Sequence, residues 1–184
     1  GHGSIDTTRI YLQAIDEKYD VIMVDAYQDI TIPFQMSSVE FFTMVKEHLN
    51  ENGVMVVNMN MRGNNEGNIN QYLSDTIASV FDHIVTVDVD GSTNRELYAS
   101  SNADMVKTLE NNANETGHSD LRDMMLHVAD TSSVYEAGDY IMTDDKAPVE
   151  LLGMQVIDQL IQGEVAYYKD IFEKDGINGL LESL

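Results

Sequence analysis

The chain of 184 residues has no cysteine, which excludes disulfides, thiolate metal sites and a cysteine nucleophile. That composition accords with a reducing compartment, and a cytoplasmic location is expected. Basic residues are scarce: 10 Lys and Arg face 32 Asp and Glu, a formal charge of −22. Such a field repels nucleic-acid phosphates and anionic membranes and gathers small cations. Neither nucleic acid nor a membrane is therefore expected as a partner. No run approaches the ~18 apolar residues that a membrane-spanning helix needs. No basic stretch followed by an apolar core opens the chain as a secretion signal would. The five histidines (His2, His48, His83, His118 and His127) show no ligand spacing such as an i, i+4 pair, so no metal is expected.

What is present is ordinary for a globular domain. Hydrophobic residues are 43% and charged residues 23%, and the length suits one domain, taken as 1–184 with 1–4 (GHGS) set aside as a tag-like remnant. The stretch YDVIMVDAYQD, Tyr19 to Asp29, carries the first signal. Its apolar run Val21–Val24 suits a strand buried on both faces of a parallel sheet. The run ends at Asp25, and the carboxyl ends of strands in open α/β sheets line the ligand crevice. A turn-forming or capping role for that aspartate is the plainer alternative.

Around this strand the pattern alternates. Arg9–Ile15 has helical spacing. Ser37-Ser38 caps a helix whose Val39, Phe42, Val45 and Leu49 form a core-facing stripe. Asn50–Gly53 should stop it, with Gly53 as a left-handed cap. Val54–Met61 is the next strand, so the two strands are expected to be adjacent and parallel across a βαβ crossover. A helix over Ile69–Phe81 (Ile69, Leu73, Ile77, Val80) precedes a hairpin of His83–Val89 and Glu96–Ser100 around the turn residues Asp90–Asn94. From Asp104 the chain reads as polar helix with an Asn-rich break at Asn111–Gly117. Pro148 is placed at the first position of a further helix, with Asp144 and Asp145 near its positive end. Val149, Leu152, Val156 and Leu160 would be its buried stripe, and Tyr167–Leu184 a last helical stretch. The 11 methionines read as adaptable core filler.

A helix–strand pair followed by a hairpin is the pattern of the second half of a doubly wound fold. The first half would carry a glycine-rich turn that cradles a nucleotide-like group and an acidic residue on a ribose. Nothing before Tyr19 has that form, and Arg62–Gly67 reads as an ordinary loop. The expected fold is thus α/β and Rossmann-like, a mostly parallel sheet with a terminal antiparallel hairpin, lacking the cofactor-loop half.

Three stretches resemble the spermidine synthase (polyamine aminopropyltransferase) family, in its bacterial spermidine-synthase-like branch and in its C-terminal half. They are RIYL (Arg9–Leu12) with EKYDVIMVDAY after it, IPFQMSSVEFF (Ile32–Phe42) with VKEHLNENGVMVVNM, and MTDDKAPVELL (Met142–Leu152). The resemblance implies an S-adenosylmethionine-methyltransferase-type fold. It also implies aminopropyl transfer from decarboxylated S-adenosylmethionine, as co-substrate, to putrescine or a related polyamine, without metal. On this reading Asp25 is the catalytic base, while Asp29 and Tyr27 bind substrate. The family's Asp-Ser-Ser-Asp-Pro reads Asp25-Ala26-Tyr27-Gln28-Asp29 here, with the second carboxylate one residue late. No cofactor-binding residue is assigned. The chain alone is expected to be inactive, and to pair with itself or with a missing N-terminal segment. The alternatives are a non-catalytic assembly domain and an S-adenosylmethionine-dependent methyltransferase relative.

Overall fold

Alternating apolar residues organise the chain around one sheet. The computed structural model describes residues 6–25, 33–59 and 66–149, with scattered positions from 152 to 174. Its strands are β1 (Tyr19–Val24), β2 (Leu49–Met59), β3 (His83–Asp88), β4 (Arg95–Ser100) and β5 (Ser133–Val134), in the order β1-β2-β4-β3-β5. The helices are α1 (Asp6–Ala14), α2 (Val39–Glu47), α3 (Ile69–Ala78), α4 (Met105–Glu115) and α5 (Ser119–Thr131).

The expected βαβ unit is there: β1 and β2 are adjacent and parallel, joined through α2. The expected hairpin is there too, but β4 inserts between β2 and β3 and runs antiparallel to both. The described sheet is therefore mixed rather than mostly parallel, because β1 with β2 is its only parallel pairing.

Odd-numbered β2 residues Met55, Val57 and Met59 point into the main core, against Phe41, Phe42 and Val45 of α2 and Leu73 and Ile77 of α3. Ser38 is the N-cap of α2 and accepts from the Phe41 amide, as its place before the stripe implies. The opposite face is partly roofed by α4 and α5. Val54, Val56, Val85 and Tyr98 line a cavity of about 340 Å³ there with Met105 and Leu109.

Three local expectations are corrected. The β1 strand is not buried on both faces: Val21 is 55% and Met23 74% exposed, while Val24 is buried. It lies at a sheet edge, and only its inner face meets α2-side core. Gly53 is not a left-handed cap, since the positive-φ glycines among the described residues are Gly67 and Gly91. β2 begins at Leu49, and the register jumps from Tyr19↔Leu49 to Val21↔Val54, so residues 50–53 form an irregular bulge. Glycine keeps this bulge uncrowded, because a Cβ at 53 would lie 3.0 Å from both the Tyr19 carbonyl oxygen and Leu49 Cδ2, and these would have to give by a few tenths of an ångström. Finally, α4 runs through Glu115, so the break that separates it from α5 is shorter than the Asn-rich stretch suggests.

Candidate functional site

Asp25 is the first residue beyond β1 and is exposed at the carboxyl end of the parallel pair. The register explains its neighbours. Val24 faces Val57, so the next step along both strands brings Asp25 beside Asn58, whose Nδ2 donates to Asp25 Oδ1 at 3.3 Å. Asn58 in turn is the Cα partner of Glu96 at the start of β4. Even-numbered β2 residues share the face of Val54 and Val56, so Asp25, Asn58 and Glu96 form a polar row over three neighbouring strands. Below it on the same face the row gives way to Val56 and Tyr98, which are also cross-strand partners.

The electrostatics follow from that row. Partial burial, and then the Asp25 charge, push the Glu96 carboxyl above its usual range. Burial, and then Glu96, push the Tyr98 phenol up as well. Asn58 Oδ1 is buried and has no hydrogen-bond partner among the described residues, an arrangement that native structures seldom tolerate without cause. Tyr27 and Asp29, the other two sequence-level candidates, fall within 26–32, outside the described residues.

A second network fixes the chain near the start of α2. Arg9 Nη1 and Nη2 donate to the two Asp144 oxygens at 2.9 and 2.8 Å, and Ser38 Oγ donates to Asp144 Oδ1 at 2.5 Å. The Asp144 amide donates to Glu40 Oε2 at 3.0 Å, and the Val39 amide to the Met142 carbonyl at 2.9 Å. The Arg9 hydrogen bond, helped by Ser38, holds the Asp144 carboxyl below the usual carboxylate range. Asp144 thus serves a helix N-terminus, as read from the sequence, but the helix is α2 and not the one after Pro148. Pro148 itself stands just before that later helix, its carbonyl accepting from the Leu152 amide at 3.0 Å.

A third network is internal. Asp75 on α3 is 1% exposed and accepts from Tyr135 Oη at 2.6 Å and from the amides of Gly138 and Tyr140, each at 3.0 Å. Burial, and then this carboxylate, hold the Tyr135 phenol well above its ordinary range. The contacts are structural: they tie the segment after β5 to α3.

Sequence reading placed Asp25 at a strand end and missed Asn58 and Glu96. Alternation along the strands shows that both share the outward face, but only the cross-strand register brings them to Asp25. Among the described residues no three metal-ligating side chains cluster, and no helix is long and apolar enough to cross a membrane.

No family model matches the chain. Among curated proteins it is similar to a probable polyamine aminopropyl transferase of Bifidobacterium longum (strain NCC 2705), with 51% identity over 193 aligned positions that cover 96% of this chain and 43% of the relative. The chain therefore spans less than half the length of that relative. Among solved structures, human methyltransferase-like protein 13 in complex with SAH overlaps 66% of this chain and 55% of its own, with a TM-score of 0.47 and 18% identity. A probable spermidine synthase from Corynebacterium glutamicum ATCC 13032 overlaps 76% of this chain and 56% of its own, with a TM-score of 0.41 and 16% identity. Both overlaps are loose, and family membership rests on the sequence match.

Proposed function

Because the chain belongs to the polyamine aminopropyltransferase family, we propose that it forms the amine-binding part of an enzyme transferring an aminopropyl group from decarboxylated S-adenosylmethionine to putrescine or a related polyamine. The observation that carries this reading is Asp25, exposed at the carboxyl end of β1 and bonded to Asn58. At neutral pH both ends of a diamine are ammonium groups, and an ammonium nitrogen has no lone pair with which to attack. Asp25 binds one end and takes its proton. The freed lone pair forms a bond to the methylene carbon next to the sulfonium, the C–S bond breaks, and its electron pair returns to sulfur as a neutral thioether. Tyr27 and Asp29 are candidates to line the same amine. No residue of this chain is assigned to the donor, so the chain alone is expected to bind polyamine and to transfer little. A cytoplasmic setting suits its cysteine-free composition.

The test is Asp25→Asn in the full-length gene product. Removing a positioned base should lower turnover by ~10²–10⁴-fold, with the KM for the sulfonium donor little changed. Unaltered turnover in that variant would remove Asp25 from the mechanism.

A further inference from the structure

We propose that Glu96 is a specificity-determining residue, the seat for the far ammonium of a diamine whose near nitrogen lies at Asp25. The inference rests on the amine-binding reading above and deepens it. Neighbouring strands lie about 4.8 Å apart, so Asp25 on β1 and Glu96 on β4 flank Asn58 with about 10 Å between their backbones. Their side chains stand on the same face, as the pairing of Asn58 with Glu96 and the Asn58–Asp25 bond require. An extended four-carbon diamine separates its nitrogens by roughly 6 Å, five bonds of ~1.5 Å in zigzag. Carboxylates standing up from strands about 10 Å apart leave room for that span with a hydrogen bond at each end.

The chemistry asks for such a residue. The near nitrogen gives its proton to Asp25 and becomes neutral. The far nitrogen stays charged through the reaction and needs a counter-charge in a half-buried place. Among the described residues Glu96 has no ion-pair partner, whereas its neighbour Arg95 is taken up by Asp88 at 2.6 Å. The burial and the nearby Asp25 that raise the Glu96 carboxyl are both offset when a cation lies between the two acids. Asn58 completes the row between the two acids, its Nδ2 turned to Asp25. Asp25 alone does not discriminate between a monoamine and a diamine. The acidic surface does not do so sharply either, because its field is diffuse and screened by salt.

The experiment titrates putrescine and n-butylamine into the 184-residue chain by calorimetry at fixed ionic strength. It compares the unsubstituted chain with Glu96→Gln, Asp25→Asn and, as a charge-matched control, Glu110→Gln on the exposed side of α4. Glu96→Gln should weaken putrescine by about tenfold or more, the scale of one charge-assisted hydrogen bond. It should leave butylamine within about twofold, so that diamine preference collapses. The control should move neither amine by more than about twofold, as a surface charge does. Thermal unfolding of Glu96→Gln should occur at the same or a higher temperature, since the change removes a half-buried carboxylate facing another. If Glu96→Gln keeps the putrescine preference while Asp25→Asn weakens both amines, the amine site stands and Glu96 is not its far seat. If Glu96→Gln unfolds earlier and loses both amines alike, Glu96 is a structural residue and the proposal fails. If the unsubstituted chain prefers neither amine and Asp25→Asn changes nothing, the amine-binding reading falls and takes the proposal with it.

Discussion

His48 touches two carbonyl oxygens with opposite sides of its ring: Nδ1 lies 2.8 Å from Met44 O and Nε2 3.1 Å from Ile15 O. A neutral imidazole has one N–H and satisfies one carbonyl, whereas the imidazolium satisfies both. The Met44 contact is the main reason that the folded chain raises the His48 pKa, and burial opposes it. The Ile15 contact and the charge of Glu47 add to the rise, and Asp16 and Glu40 line the same shallow groove. Protonated His48 thus staples the end of α1 to the end of α2. With the folded value above the unfolded one, the stabilisation is fully present below the unfolded pKa of about 6.5. It is lost as pH rises through the folded value. The ring is partly buried, and the one hydrogen bond gained on protonation is worth about 1 kcal/mol. Chemical denaturation at pH 6 and pH 8.5 should show His48→Asn costing stability at the lower pH and little at the higher one. An equal cost at both would mean that packing, not charge, makes the staple. None of this is visible in the sequence, where His48 has no partner within ligand spacing. Its acceptors are backbone atoms, one of them 33 residues away.

Between elements, the tie that matters most is Asp75. Three donors converge on this buried carboxylate from Tyr135, Gly138 and Tyr140, and two residues on, the Met142 amide donates to Thr76 Oγ1 at 2.9 Å. The whole segment from β5 to the Asp144 network is thereby laid along α3. Removing the carboxylate strands buried donors, so Asp75→Ala should cost ~3–5 kcal/mol of unfolding free energy. Gly138→Ala should act on the same tie from the other side, because a Cβ there would stand 2.5 Å from Asp75 Oδ2. Urea unfolding of both variants, singly and together, checks this. If the two act on one interaction, the double variant should lose less than the sum, and simple additivity would contradict the shared tie. Elements marked by local pattern were legible in advance: the apolar run of β1, the Ser38 cap, the stripes of α2 and α3, and the hairpin around Gly91. The missed features depend on remote partners. β2 begins at Leu49 because Tyr19 of β1 pairs with it there, and residues 50–53 bulge before the register resumes at Val54. Asp75 looks like any helix carboxylate until a segment 60 residues away folds onto it. The site divides the same way, with Asp25 readable from its strand and Glu96 only from the register.

At the scale of the molecule, two features oppose each other. Among the described residues β1 ends the sheet order and nothing pairs with its outer edge, and Val21 and Met23 stand exposed beside it at 55% and 74%. An unpaired apolar edge is a template for another strand, whether from a second copy or from the more than half of the relative's length that lies outside the match. Against this stands a net charge of −22, which repels a second copy. Repulsion between surfaces is screened over about 10 Å at 0.1 M salt, while apolar burial is not weakened by salt. The balance should therefore tilt with ionic strength: sedimentation of the chain alone should show a mass above the 20.6 kDa monomer, and more so as salt is added. Met23→Lys puts a charge into the apolar edge and removes a flexible apolar side chain, so it should shift the chain toward monomer at every salt concentration. It should do so even though it lowers the net negative charge by one, which taken alone would favour association. That opposition makes the variant decisive. A Met23→Lys chain that associates more strongly than the original would show that charge, and not the apolar edge of β1, governs assembly. A chain that is monomeric at all salt concentrations would show that this edge does not recruit a second copy.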